Sequence, residues 1–291
     1  MQALGACVGI KINFTMIADV YSQVDATKKI SRIAMAFAIM PGLAIATGGW
    51  LTKLFGWESC FYFLSLFGVF VLWLSTRLPE TAKSLDLYAL KISSIFQGYR
   101  LKFKNRRLVI SALMMGCGSA VIYVFASKSP FIGMGLIGLT PEVFGNYNLI
   151  PLVGMFLGCL LAGKLAGRLP LLKLLCIGTL VSLALSLVMF IPFAMGVINV
   201  WSLFLPVAFI YLAESLIFTN VSAFGLSLAK NKSNGSAVMN FINLSVTVIA
   251  VLLLEFIYPE SALLMPLSFI VFFFVIFVLW LRLRKMEKSV G

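Results

Sequence analysis

Runs of apolar residues long enough to cross a bilayer recur along this chain. Nine candidates fit, at about 3–22, 33–52, 58–76, 108–127, 143–163, 170–192, 200–227, 236–257 and 262–282. A hydrocarbon core about 30 Å thick takes a helix of about 20 such residues. No water in that core satisfies open N–H and C=O groups, so runs of this length read as helices that bond internally rather than as strands. Hydrophobic residues make up 61% of the 291 residues and charged residues 11%, against about 45–50% and about 25% in soluble domains. The expected fold is all-α and integral to the membrane, with about nine spans.

The formal net charge is +13, which in a soluble protein would point to nucleic acid. Here the cations sit between the apolar runs, so they read as topology signals and no nucleic-acid partner is expected. Of the 23 lysines and arginines, Lys11 lies inside the first run, and Lys53 and Lys128 fall in connections on one side. All the others fall on the other side, with seven of them between Leu78 and Arg107. The positive-inside rule makes the crowded side cytoplasmic, with the N-terminus outside, the C-terminus inside and 78–107 a central cytoplasmic loop. The basic side would also attract anionic lipid headgroups. No cationic stretch precedes the first run and Lys11 interrupts it, so a signal peptide is not expected. Cys7, Cys60, Cys117, Cys159 and Cys176 stand singly and the chain has no histidine. Neither a metal site, a disulfide framework nor a cofactor is expected.

Gln2 to Tyr21, Pro41 to Trp57, Ile122 to Phe131, Gly158 to Leu169 and Asn234 to Phe241 together resemble drug:proton antiporters of the major facilitator superfamily, of the bicyclomycin-resistance (Bcr/CflA) type. Gln2 to Tyr21 is similar to that family's fourth helix. Pro41 to Trp57, with Pro41, Gly48 and Gly49, resembles the antiporter motif of its fifth; Ile45 stands where the motif usually carries a second proline. Ile122 to Phe131 with Phe144 and Gly145 resembles helices seven and eight, Gly158 to Leu169 the basic turn after helix eight, and Asn234 to Phe241 the start of helix eleven. The resemblance implies that the chain starts inside helix four, so that helices one to three are missing. Residues 1–77 would then be the remnant of an N-terminal half and 108–291 a complete C-terminal half. It also implies an inner-membrane location and proton-coupled export of drugs or other small amphipathic compounds. The partners would be the lipid bilayer, the small-molecule substrate and protons, with a separate helical segment as a further candidate.

Glu214, in the middle of an apolar run, is the sharpest functional candidate. An ionised carboxylate there costs at least a few kcal/mol, so its protonation can alternate with substrate occupancy. The alternative is a permanently protonated acid hydrogen-bonded to a neighbouring helix. Lys11, about 12 Å deeper than Asp19 at 1.5 Å per residue, is a possible partner for Glu214 across a cavity. Asp19 reads as an interfacial carboxylate or a gate residue near Lys28, and Glu255 as an interfacial structural group. Tyr123, Asn220, Asn240 and Asn243 are candidate cavity residues, the asparagines being open also to interhelical hydrogen bonds. The glycines of Pro41–Trp57 and Gly158–Leu169 read as close-packing sites or hinges. No nucleophile–base pair or pair of carboxylates at helical spacing supports an enzyme. A second reading stays open: a non-transporting fragment of a decayed or mis-started transporter gene.

Overall fold

The computed structural model describes residues 42–78, 105–165, 168–228, 232–257 and 261–288, together with Met16, Val20 and Met40. Every regular element among them is helical. Helix α1 covers 42–55, α2 Ser59–Ser75, and α3 Arg106–Pro130, which runs on into a π turn at Phe131–Leu136. There follow α4 (Pro141–Tyr147), α5 (Leu149–Leu165), α6 (Leu171–Ala194), α7 (Val200–Ser227), α8 (Lys232–Ile257) and α9 (Leu264–Lys288). Six helical stretches are long and apolar enough to cross a membrane, and α2 is a shorter apolar helix. The nine expected spans are therefore seen as six among the described residues. The first lies outside them apart from Met16 and Val20, and the second enters only in its later part.

Two boundaries differ from the sequence expectation. The stretch from Pro130 to Pro141 reads as a long connection, yet the helix passes through Pro130. Proline removes a backbone donor and crowds the preceding turn. The chain absorbs this by widening, with Ile137 N–H donating to Ile132 C=O at 3.0 Å, the i to i+5 spacing of a π turn. The run expected as one helix over 143–163 breaks at Asn148, whose amide donates to the Phe144 carbonyl at 2.9 Å. Pro151 has no N–H to return to Tyr147, so the helix restarts at Leu149 with the proline in its first turn.

Helix starts carry their own signals. Asn105 accepts from Leu108 N–H at 3.3 Å, and Asn199 with Ser202 closes a reciprocal capping pair at 2.9 Å each way ahead of α7. Gly196, at φ +71°, ends α6 in the left-handed conformation that favours glycine.

Helix α7 is the centre of the bundle, packed against α3, α5 and α6, while α3 also meets α8 and α9. Close approach comes from small residues. Gly154, Gly158 and Ala162 are all buried on one face of α5. A Cβ at Gly154 would strike the backbone of Ala208, and one at Gly158 that of Leu212. Gly163, by contrast, faces open space. An aromatic chain fills the α3–α7 seam: Tyr211 to Phe125 at 5.9 Å, Phe125 to Phe204 at 6.2 Å and Phe204 to Tyr147 at 5.7 Å. Small polar groups such as Ser111, Thr179, Ser182 and Ser186 lie inside, whereas α2 buries no residue at all. A surface this apolar around an interior with hydroxyls is built for lipid.

The two ends of the bundle are tied differently. At one, the Arg107 guanidinium donates to the Met286 carbonyl at 2.8 Å and the Trp280 indole to Leu172 C=O at 2.9 Å. At the other, Ser127 and Lys128 both donate to Glu255, at 2.8 and 2.9 Å, joining α3 to α8. The Lys128 side chain is only 5% exposed, so its carboxylate bond is a charge-assisted one in a poorly solvated place. Glu255→Gln is expected to lower stability by about 1.5–3 kcal/mol, read as a lower thermal-unfolding midpoint in detergent. A midpoint equal to the parent's would mean this tie is idle.

Candidate functional site

Glu214 occupies the middle of α7, about one turn after Tyr211 and next to Ser215. The residue is 2% exposed. Its Oε1 is buried without a hydrogen-bond partner among the described residues. The carboxyl points at α3: a Cβ built on Gly118 would lie 2.5 Å from Oε1. Around it, Ser215 Oγ donates to Tyr211 C=O at 2.7 Å and lies 3.3 Å from Met155 C=O of α5. The Tyr211 hydroxyl reaches Ile122 C=O of α3 at 3.5 Å.

The site therefore sits where α3, α5 and α7 meet, and its chemistry is narrow. An ionised carboxylate without donors is strongly disfavoured in such surroundings. The neutral acid is tolerated, and a path for water or a proton would switch it. The alternative of an acid held by an interhelical hydrogen bond is not supported at Oε1. Among the described residues no three His, Cys, Asp or Glu side chains come together.

The other candidates do not gather around Glu214. Lys11, Asp19 and Pro41 lie outside the described residues, as does the expected Lys11–Glu214 pair. Tyr123 is 53% exposed on α3. Asn220 donates to Leu216 C=O at 2.8 Å and Asn240 to Ser236 Oγ at 3.3 Å, each bond within its own helix. Asn243 is buried with Oδ1 unpartnered, and it is the asparagine that keeps an acceptor free inside the bundle.

The paired glycines of α1 separate in role. Gly42, Ala46 and Gly49 are buried and lie along α4–α5: Gly42 against Leu152, Ala46 against Gly145, Gly49 against the Pro141 carbonyl. Gly48 faces open space. Beside this seam Lys53 pairs with Glu142 at 3.1 Å, and the Trp50 indole donates to Asn146 at 3.2 Å. An open apolar hollow of about 230 Å³ between Ile45, Gly49, Thr52, Met134 and Phe144 adjoins it, smaller than pockets that hold drug-sized ligands.

Sequence reasoning found Glu214 but missed Gly118, Tyr211, Ser215 and Glu142. The signal for Gly118 was present: two glycines in the Gly116-Cys117-Gly118-Ser119 stretch of an otherwise bulky apolar helix mark a place of close approach.

Residues 1–251 match the Major Facilitator Superfamily. The chain belongs to that family. Among curated relatives it is 27% identical over 219 residues to the Multidrug resistance protein D of Escherichia coli (strain K12), covering 75% of this chain and 54% of that protein. It is 22% identical over 227 residues to a Bicyclomycin resistance protein homolog of Haemophilus influenzae, covering 78% of this chain and 57% of that one. The chain thus spans about half the length of the curated relatives it matches. Its fold is similar to the crystal structure of a bacterial homologue of the human lysosomal transporter Spinster, in an inward-facing, unoccupied conformation. The TM-score is 0.58 at 15% identity, over 95% of this chain and 74% of that one. The major facilitator architecture is that of a multi-pass transporter embedded in lipid, not of an enzyme.

Proposed function

We propose that this chain exports small amphipathic or lipophilic compounds across the inner membrane by proton-coupled antiport, with Glu214 as the proton carrier. The observation that carries the reading is a carboxyl 2% exposed, with Oε1 unpartnered, in the central helix of the bundle. An ionisable group inside a membrane span marks a functional site by default. The names of the relatives, a multidrug resistance protein and a bicyclomycin resistance homologue, support the substrate class. The asymmetry of lysine and arginine supports an outer N-terminus and a cytoplasmic C-terminus. On that orientation, Lys53 and Lys128 are the cations of the outer end, each neutralised by a glutamate. The 1–77, 78–107 and 108–291 division into half-bundle, loop and half-bundle goes with the same reading. Tyr123, Asn220, Asn240 and Asn243, with Lys11 and Asp19 of the first run, are the cavity candidates to test beside Glu214. The glycines Gly48 and Gly49, with Pro41, are the antiporter-motif candidates.

The test is efflux of a fluorescent lipophilic dye from proteoliposomes with and without an imposed pH difference. Transport that follows the pH difference supports antiport; transport that ignores it removes proton coupling. A second reading is favoured by α2, none of whose residues is buried among the described residues. It is that transport requires further helices on a separate polypeptide. Dye movement that appears only when such a segment is co-reconstituted would select it, and none under either condition would select a non-transporting unit.

A further inference from the structure

The glycines of this bundle do two different jobs. At Gly154 and Gly158 an added Cβ would meet the backbone of α7, so these residues set how near the helices lie. At Gly116 it would meet the Val246 side chain of α8, at 2.8 Å. Gly118 is unlike all three. The atoms that an added Cβ would meet there are Oε1, Cδ and Cγ of Glu214, at 2.5, 3.4 and 3.7 Å. Those atoms are the free end of a flexible side chain. A methyl group at 118 would therefore move the carboxyl and leave the helix axes where they are.

We propose that Gly118 is a positioning residue for Glu214: the notch it leaves in α3 seats the carboxyl in the α3–α7 seam, where it exchanges its proton. This rests on the reading of Glu214 as the proton carrier. Among the described residues Oε1 has no donor there, which disfavours the ionised form more than the neutral acid. The ionised form needs water or a donor in the same space. Among the described residues, the titratable groups around the carboxyl are Tyr211 on its own helix, Cys159 on α5 and Cys117 beside the notch on α3. From α6, Gly178 packs on this stretch of α7, against Ala213 and Ile217.

The proposal is tested by a pH titration of the purified full chain in detergent, followed by difference infrared spectroscopy in the protonated-carboxyl region. The band lost in Glu214→Gln belongs to Glu214. In Gly118→Ala that band should shift in frequency and its titration midpoint should move by about one pH unit, with the thermal-unfolding midpoint unchanged. Shortening the side chain by one methylene, in Gly118→Ala/Glu214→Asp, should return the midpoint toward the parent's. Glu214→Asp alone withdraws the carboxyl from the notch without touching α3, and it should shift the midpoint even if the alanine variant fails to accumulate. Gly116→Ala should leave the band in place. A Gly118→Ala or Glu214→Asp titration that superimposes on the parent's overturns the proposal, as does a parent spectrum with no band assignable to Glu214. None of these readouts needs transport, so an inactive parent in the dye assay would count against antiport while leaving this result to stand or fall by itself.

Discussion

Glu214→Gln is expected to reduce proton-driven efflux to the level of protein-free vesicles while the protein still folds. Glutamine has nearly the same shape and can occupy the place facing Gly118, but it cannot ionise. An unpaired amide costs about as much to bury as the neutral acid it replaces, so the folded bundle should keep close to the parent's stability. That combination separates chemistry from structure: an intact elution profile and unfolding midpoint with no pH-driven transport assigns the proton to this residue. Exchange of labelled for unlabelled substrate at equal concentrations should survive, because it cycles the binding site without net proton movement. If efflux in the variant still follows the pH difference, Glu214 is not the carrier and the coupling group lies elsewhere, with Asp19 the next to replace.

The largest structural effect is expected at the α5–α7 seam. Gly154→Ala and Gly158→Ala each place a methyl group against a carbonyl of α7, at Ala208 and Leu212. Backbone cannot rotate away as a side chain does, so the helix axes have to separate. Overpacking of this kind costs about 1–3 kcal/mol per site. The two positions share one seam and their effects should not simply add. Leucine at both is expected to prevent a folded, monodisperse product. Gly163→Ala supplies the control: its Cβ meets nothing within 4 Å, and alanine is favoured over glycine in a helix by about 1 kcal/mol. It should be neutral or stabilising. The comparison is made on unfolding midpoints and on folded yield in the same detergent. A Gly154→Ala variant that melts with the parent would mean that the seam is looser than this geometry. Because Ser215 approaches the Met155 carbonyl in the same seam, spreading it should also displace Glu214, so transport is expected to fall together with stability here. In Glu214→Gln it falls alone.

How much was legible differs from residue to residue. Glu214 stood out because a carboxylate in the middle of an apolar run is costly wherever the run ends up. The asparagines could not be sorted in the same way: Asn220 and Asn240 bond within their own helices, while Asn243 keeps a buried oxygen unpartnered. Each choice depends on what a neighbouring helix offers. The same holds for Gly48 and Gly49, adjacent in sequence and apparently alike, of which only Gly49 lies in a seam. Pro130 reads as a helix terminator by its missing donor, but the widened turn that carries the chain to Leu136 is held by packing, including the Phe144 ring against Gly133.

What this sequence determined by itself was the class of structure: helices of bilayer length, in a chain too apolar for water, with its cations gathered between the runs. That much follows from hydrocarbon, which leaves a backbone no partner but itself and makes the requirement local to each segment. Which face of each helix turns inward was decided only by the tertiary structure. Helices such as α6 and α7 are apolar on most of their surface, and lipid rewards all those sides alike, so hydrophobic contrast is weak. Only a few small or polar residues, such as Gly178, Thr179, Ser182 and Ser186 of α6, lie on the buried face. The choice falls to close backbone approach, Gly154 on Ala208 and Gly158 on Leu212, and to the notch at Gly118 that receives the Glu214 carboxyl.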